Sequence, residues 1–196
     1  MAFERPELLT LEHLESLAEA LRERGFPIVY CLRPGLTDAE MDDLMAPLGL
    51  SLPTEARVWW GWHDGAIAER AARIGPNWWF APLTVCVDDY RELREIADGD
   101  EVLGEGWWPS TWFRVVIGDW ALACDTNVAP GEPTPIRAWY LEDGAPSEVS
   151  LPSLGALVEM WTDVLRAGAW QYHAEMGGAA MHPEHLPDRQ WPRYLP

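Results

Sequence analysis

Five groups of residues in this 196-residue chain are of types that do chemistry. His182-Pro183-Glu184-His185 offers two imidazoles three residues apart. Zinc sites use such pairs, but no third ligand stands nearby in sequence, and the Pro-rich context reads as a solvated turn. His63-Asp64 has the carboxylate-behind-imidazole order of a hydrolytic triad. No GxSxG or other activated serine accompanies it, so a helix end beside a capping glycine is the simpler reading. Asp98-Gly99-Asp100 opens like a calcium loop, yet its sixth position is Leu103 rather than Gly and its twelfth is Pro109 rather than Glu. Asp125, followed by Thr126-Asn127, ends an apolar stretch, and an aspartate so placed usually builds a turn. The cysteines Cys31, Cys86 and Cys124 are widely spaced with no CxxC, the pattern of free thiols in a reducing compartment. No catalytic residue, metal ligand or cofactor is expected.

Charge excludes more. The chain has 14 basic and 32 acidic residues, a formal charge of −18, and every basic residue is arginine. A surface this acidic repels phosphate backbones and anionic lipid, so neither nucleic acid nor membrane is an expected partner. Without lysine there is no P-loop of the GxxxxGK type and no Schiff-base chemistry. The opening MAFERPELLTLEHLESL lacks the apolar stretch of a secretory signal. No segment approaches the ~20 apolar residues of a membrane span. A cytoplasmic monomer is expected, and such a surface would attract a basic protein.

Residues 98–108 (DGDEVLGEGWW) supply both halves of such a contact. Asp98, Asp100, Glu101 and Glu105 crowd into eight residues, and Trp107-Trp108 follows. Glycines at 99, 104 and 106 argue against a packed helix or strand, so the segment reads as an exposed loop. Buried aromatic residues anchor interfaces, while the charge around them sets association rate. One tryptophan is expected to pack inward and the other to be the anchor.

The elements that position these residues follow from periodicity. Leu8, Leu11, Leu14, Leu17 and Leu21 make an amphipathic helix over residues 7–24, stopped by Gly25 and Pro27. Residues 26–32 (FPIVYCL) read as a strand. Thr37 and Glu40 form a capping box for a helix reaching residue 48. Leu52-Pro53 opens another, bearing Ala56, Trp59, Trp60 and His63, which Gly65 closes as a left-handed cap. The Arg/Ala stretch after Gly65 reads as helical, residues 77–81 as extended, and 87–96 as a helix with Val87, Tyr90 and Leu93 inward. Residues 112–117 and 120–125 form an antiparallel pair, and 135–141 and 147–151 add strands. Ser153 caps a last helix with Leu154, Leu157, Val158, Trp161 and Leu165 on one stripe. Helices, a block of strands, then a helix predict an α+β fold with a central antiparallel sheet packed by helices. Trp59 or Trp60, Trp112, Trp120 and Trp161 fall at core positions. At least one member of some adjacent Trp pairs should reach the surface.

The order of these pieces carries a resemblance. A helix ending at Gly49 leads to Leu52-Pro53 and an aromatic helix with Trp60 that ends His63-Asp64-Gly65. A helix over 87–97, a Trp-bearing strand, a strand ending in Asp125, a strand opening at Pro135-Ile136 and a helix opened by Ser153 follow. Together they resemble the SUKH superfamily, of the Smi/Knr type, over about residues 36–168. The chain departs from the pattern in having a single Gly after Asp64 and insertions around 66–82 and 98–108. On this reading residues 1–35 are an N-terminal helix and strand packed on the body, 36–170 the Smi/Knr-like domain and 171–196 a Pro-rich tail. The resemblance implies a binding domain with no active site. In bacteria that means a cytoplasmic immunity protein occluding a secreted toxin, often a nuclease. The alternative is a regulatory or scaffold module that binds a protein of its own cell.

Overall fold

Helix starts here are set by side chains that take up amides left over at a helix N-terminus. The computed structural model describes residues 7–67, 73–76, 78–99, 104–118, 120–140, 148–175 and 178–186. Helix α1 (Leu11–Glu23) starts from a capping box between Thr10 and His13 and buries Leu14, Leu17 and Leu21. Helix α2 (Asp38–Met45) starts from the Thr37–Glu40 box. It tightens into a 3-10 turn at Ala46–Leu48 before Gly49. Helix α3 (Thr54–Trp62) enters behind Leu52-Pro53 and buries both Trp59 and Trp60. Two helices follow, α4 (Leu83–Gly99) and the single-turn α5 (Gly104–Trp107). Helix α6 (Leu154–Ala167) is capped by the Ser153 hydroxyl, which accepts from the Ala156 amide.

The strands form an antiparallel meander of five in the order β1 (Arg73–Ile74), β2 (Trp78–Trp79), β3 (Trp112–Gly118), β4 (Trp120–Asp125) and β5 (Ile136–Tyr140). The α+β class and the antiparallel sheet stand as expected. Alternation sends Phe113, Leu122, Cys124, Ile136 and Ala138 into the main core with α1, α3 and α6. Ala121, Ala123 and Trp139 belong to a second, smaller core with Leu93, Ala97, Trp108 and Trp112. The small side chains of Ala121 and Ala123 leave room there for three indoles.

Four expectations are corrected. Residues 26–32 are not a strand: Pro27 brings a fixed φ and no amide donor, and Pro27–Tyr30 is a 3-10 turn. Among the described residues only Leu32 of this stretch pairs, in a bridge to Ala66. The Arg/Ala stretch ends as strand β1, its residues 68–72 lying outside those described. The second weak strand reduces to Leu151 bridging Ile136. The tail is a hairpin as far as it is described, β6 (Trp170–His173) against β7 (Gly178–Met181). Its register places Trp170, Tyr172, Ala179 and Met181 on the face that packs into the main core. The N-terminal segment is part of the same core, with α1 lying against α6 and α3. Among the tryptophans placed in the core, Trp59, Trp60, Trp112 and Trp161 are buried and Trp120 is half-buried. The pairs 78–79 and 107–108 each leave one member, Trp79 and Trp107, partly exposed.

Glu55, on the first turn of α3, is fully buried. Its Oε1 accepts from the Leu9 amide at 2.7 Å and the Gly155 amide at 2.9 Å, and its Oε2 from the Thr134 amide. A side chain at 155 would enter this junction, since a Cβ there would lie 2.8 Å from the Glu7 carbonyl oxygen. Each buried amide left without a partner costs about 1–3 kcal/mol. Glu55→Ala orphans three and is expected to destabilise the fold by about 3 kcal/mol or more in urea unfolding; a loss below about 1 kcal/mol would mean that water replaces the carboxylate.

Candidate partner-binding surface

The acidic run begins on α4. Asp88, Glu92, Glu95 and Asp98 are exposed and recur every three or four residues, which makes one ridge along the helix. Arg91 pairs with Asp88 at 2.8 Å and Arg94 with Asp98. Glu92 and Glu95 have no cationic partner among the described residues.

The expected single exposed loop over 98–108 is corrected. Asp98 and Gly99 are the last turn of α4, and 104–107 form the turn of α5. Two contacts impose this order on a glycine-rich stretch. Arg94 forks, one nitrogen donating to Asp98 and the other to the Trp108 carbonyl, so the end of α4 is tied to the end of α5. Trp108 is then drawn fully inside, 5.3 Å from the Trp139 ring, with Trp112 edge-on to Trp139 at 5.5 Å. Trp107 stays half-buried against the same cluster. The pair is therefore split: Trp108 is core and Trp107 is partly exposed. Asp100 and Glu101 lie outside the described residues, as does the side chain of Glu105.

The other residues singled out from sequence act in the framework. Leu52 and Pro53 are buried at the entry to α3, and Trp60 donates from its indole to the Ala81 carbonyl at 3.4 Å. Gly65 does not cap α3, which ends at His63 in extended conformation. Its φ of +67° and a space where a Cβ would lie 2.4 Å from the Pro82 nitrogen make it the point where this loop touches the approach to α4. Asp125 accepts from the Asn127 amide at 3.0 Å, the expected turn, and Ser153 caps α6.

No hydrolytic pair forms at His63-Asp64. The Asp64 carboxylate turns inward, accepts from the Leu83 amide at 2.8 Å and pairs with Arg33 at 3.1 Å, while His63 Nδ1 faces the Arg33 carbonyl. Burial raises the Asp64 carboxyl above its ordinary range, and the Leu83 amide and Arg33 offset this only in part. The thiols of Cys86 and Cys124 are poor nucleophiles: burial pushes Cys124 up to about 12 and Cys86 further.

Beneath the ridge, Arg114 projects from β3, almost fully buried. It donates to Asp89 of α4 at 3.1 Å and to the Gly118 carbonyl at 2.7 Å. Burial raises the Asp89 carboxyl, Arg114 opposes the shift, and Glu92 adds to it. Sequence reading passed over this pair and Glu55, although an arginine in the apolar run WFRVVI was a signal. No protein-family model and no curated protein matches the chain. Among the described residues no helix is long and apolar enough to cross a membrane.

Trp108→Ala is expected to cost ~3–5 kcal/mol of stability and Trp107→Ala much less, both read by denaturant unfolding; equal costs would mean that Trp107 is as much a part of the core as Trp108. Asp64 and Asp89 bind protons more tightly in the native state than when unfolded. Their contribution to stability is thus fully present below the unfolded value of about 3.9 and is lost as pH rises through their native values. Carbon-13 titration should place both native midpoints above that value, and midpoints below it would mean that Arg33 and Arg114 outweigh burial.

Proposed function

We propose that this chain is a non-enzymatic protein-binding domain of the Smi/Knr (SUKH) type. It acts in the bacterial cytoplasm as a monomeric immunity protein that covers a basic toxin domain, nucleases being one class of such targets. The supporting observation is how charge is distributed. Arg33, Arg57, Arg91, Arg94 and Arg114 are held by carboxylates, Arg24 and Arg73 by backbone carbonyls and Arg166 by Ser16, and Arg137 lies over the Trp112 ring. Among the described residues nine of the ten arginines are engaged within the fold, the exception being exposed Arg22 in the last turn of α1, and carboxylates face outward along α4 and along α1 at Glu12, Glu19 and Glu23. Such a surface steers a basic partner in and leaves an anion-binding enzyme surface covered. The ridge Glu92–Glu95–Asp98 next to Trp107 supplies charge beside an aromatic anchor, and Asp100, Glu101 and Glu105 extend it in sequence.

Affinity capture from the native cell should return a protein with a basic domain whose activity ceases at one equivalent of this chain. A partner that stays active at stoichiometric binding would sink the immunity reading and leave a regulatory module. With the partner in hand, Glu92→Arg with Glu95→Arg should slow association about tenfold at low salt and flatten its salt dependence. Trp107→Ala should speed dissociation, by ~2 kcal/mol of binding energy. Unaltered rates in both would move the interface to the surface around His63–Gly65, where Tyr30 and Ile67 are 79% and 78% exposed.

A further inference from the structure

Of the ten arginines among the described residues, eight donate to an oxygen of the fold. Arg22 is exposed and served by water. Arg137 differs from both kinds. It is half-buried on β5, and among the described residues its guanidinium meets no hydrogen-bond acceptor. In a chain with 32 carboxylates that is the exception to explain.

Strand register decides where the side chain goes. Arg137 lies opposite Ala123, and Ala123 lies opposite Arg114, so Arg137 shares a face with Trp112, two residues before Arg114 on β3. Ala123 puts only a methyl group between them. The Arg137 side chain therefore crosses β4 and sets its Cζ 4.6 Å from the centre of the Trp112 ring. Asp125 stands on the same face, opposite Trp112, but it accepts from the Asn127 amide and makes no ion pair with Arg137.

A guanidinium over an indole is held by its face. Its N–H donors lie in its plane and point out from its edge. Of these nitrogens Nε is sealed from solvent without a partner. That leaves the two Nη groups, whose end-on fork matches the two oxygens of a carboxylate. Stacking fixes the side chain in advance, so capture of a carboxylate costs less ordering entropy. Trp112 is edge-on to Trp139, Trp139 lies against Trp108, and Trp107 packs on this same small core. Arg137 and Trp107 thus border one aromatic cluster.

We propose that Arg137, seated on Trp112, is a carboxylate receptor within the partner-binding surface. It pairs end-on with one carboxylate that a basic partner protein presents among its cationic residues. Charge selects the carrier. At −18 the chain repels a nucleic acid and a second copy of itself. A single carboxylate embedded in a basic surface is carried in by its surroundings. It then fixes the register of docking, since along the ridge of α4 it would face like charge. The class of partner rests on the proposed binding function; the carboxylate fork does not.

The test has two arms. The first uses the full chain alone, with sodium acetate replacing sodium chloride at constant ionic strength and the arginine side chains followed by nitrogen-15 NMR. Arg137 is expected to shift saturably, with a half-point about tenfold or more below that of exposed Arg22. The Trp112 indole should follow the same curve and stop responding in Arg137→Met, which keeps an unbranched cover on the ring. The second arm uses the protein that affinity capture returns. Arg137→Met should weaken its binding about tenfold or more, and Arg137→Lys should restore only part of this, because an ammonium has the charge without the fork. Equal half-points at Arg137 and Arg22, or a stability loss in Arg137→Met as large as that of Trp108→Ala, overturn the proposal and make the residue a packing element. Binding indifferent to Arg137→Met yet slowed by Glu92→Arg with Glu95→Arg also overturns it, while the acidic surface stands. Binding that requires Arg137 in a partner that stays active supports the receptor and ends the immunity reading.

Discussion

The three amides that converge on Glu55 belong to segments 46, 79 and 100 residues away: the approach to α1, the approach to β5 and the first turn of α6. No local interaction would bring these together. A buried carboxylate is costly unless its oxygens are fully occupied, and here backbone amides occupy both, one of them at the positive end of the α6 dipole. The cost and the compensation are linked. If any of the three segments is out of place, the charge is left partly bare, so the junction favours having all three docked at once. The bare backbone of Gly155 belongs to the same constraint, because only glycine lets the start of α6 lie against residues 7–9.

Around this junction the core is built from indoles to an unusual degree. Trp78 lies 5.6 Å from Trp161 and 5.7 Å from Trp170, and Trp59 lies 6.3 Å from Trp161. The indole nitrogens of Trp59, Trp78, Trp161 and Trp170 have no hydrogen-bond partner among the described residues. Magnitudes show why this is tolerated. An unpaired buried donor costs about 1–3 kcal/mol, whereas burying ~200 Å² of an indole at ~25 cal/mol/Å² contributes about 5 kcal/mol. The same balance draws Trp108 under α5 and imposes order on a stretch whose glycines argue for a loose loop.

What was legible in the sequence is what depends on neighbours in sequence. The caps at Thr37 and Ser153, the stripes of α4 and α6, the β3–β4 pair and the turn at Asp125 all rest on spacings of a few residues, and they stand as read. What was misread depends on partners far away. Residues 26–32 have strand composition, but among the described residues no neighbouring strand is there to pair beyond the bridge at Leu32. The alternation Trp170-Gln171-Tyr172-His173 is a strand signal only four residues long, and it becomes decisive only when β7 and the core cover one side of it. Gly65 carries the left-handed φ expected of it, but for a close approach to Pro82 rather than for a cap. At the candidate surface it was visible that one of Trp107 and Trp108 packs inward; which one was not, since that is decided by Trp139 and by the carbonyl that Arg94 seeks.

The arginine-only composition ties the framework to the surface. A guanidinium holds two acceptors at once in a fixed fork, and an ammonium does not do so with the same geometry. Arg24 uses the fork to close the C-terminus of α6, donating to the Leu165 and Arg166 carbonyls at 2.7 and 2.6 Å. Arg94 uses it to join α4 to the Trp108 carbonyl, and Arg114 to join α4 to the β3–β4 end of the sheet. In each case the cation acts as an internal strut and its charge is satisfied where it sits. Outward carboxylates such as Glu92 and Glu95 hold nothing of this kind. Their mutual repulsion opposes folding weakly, because exposed charges interact through water and salt. The fold therefore neither requires those charges nor suppresses them, and the field along α4 remains available to whatever approaches from outside.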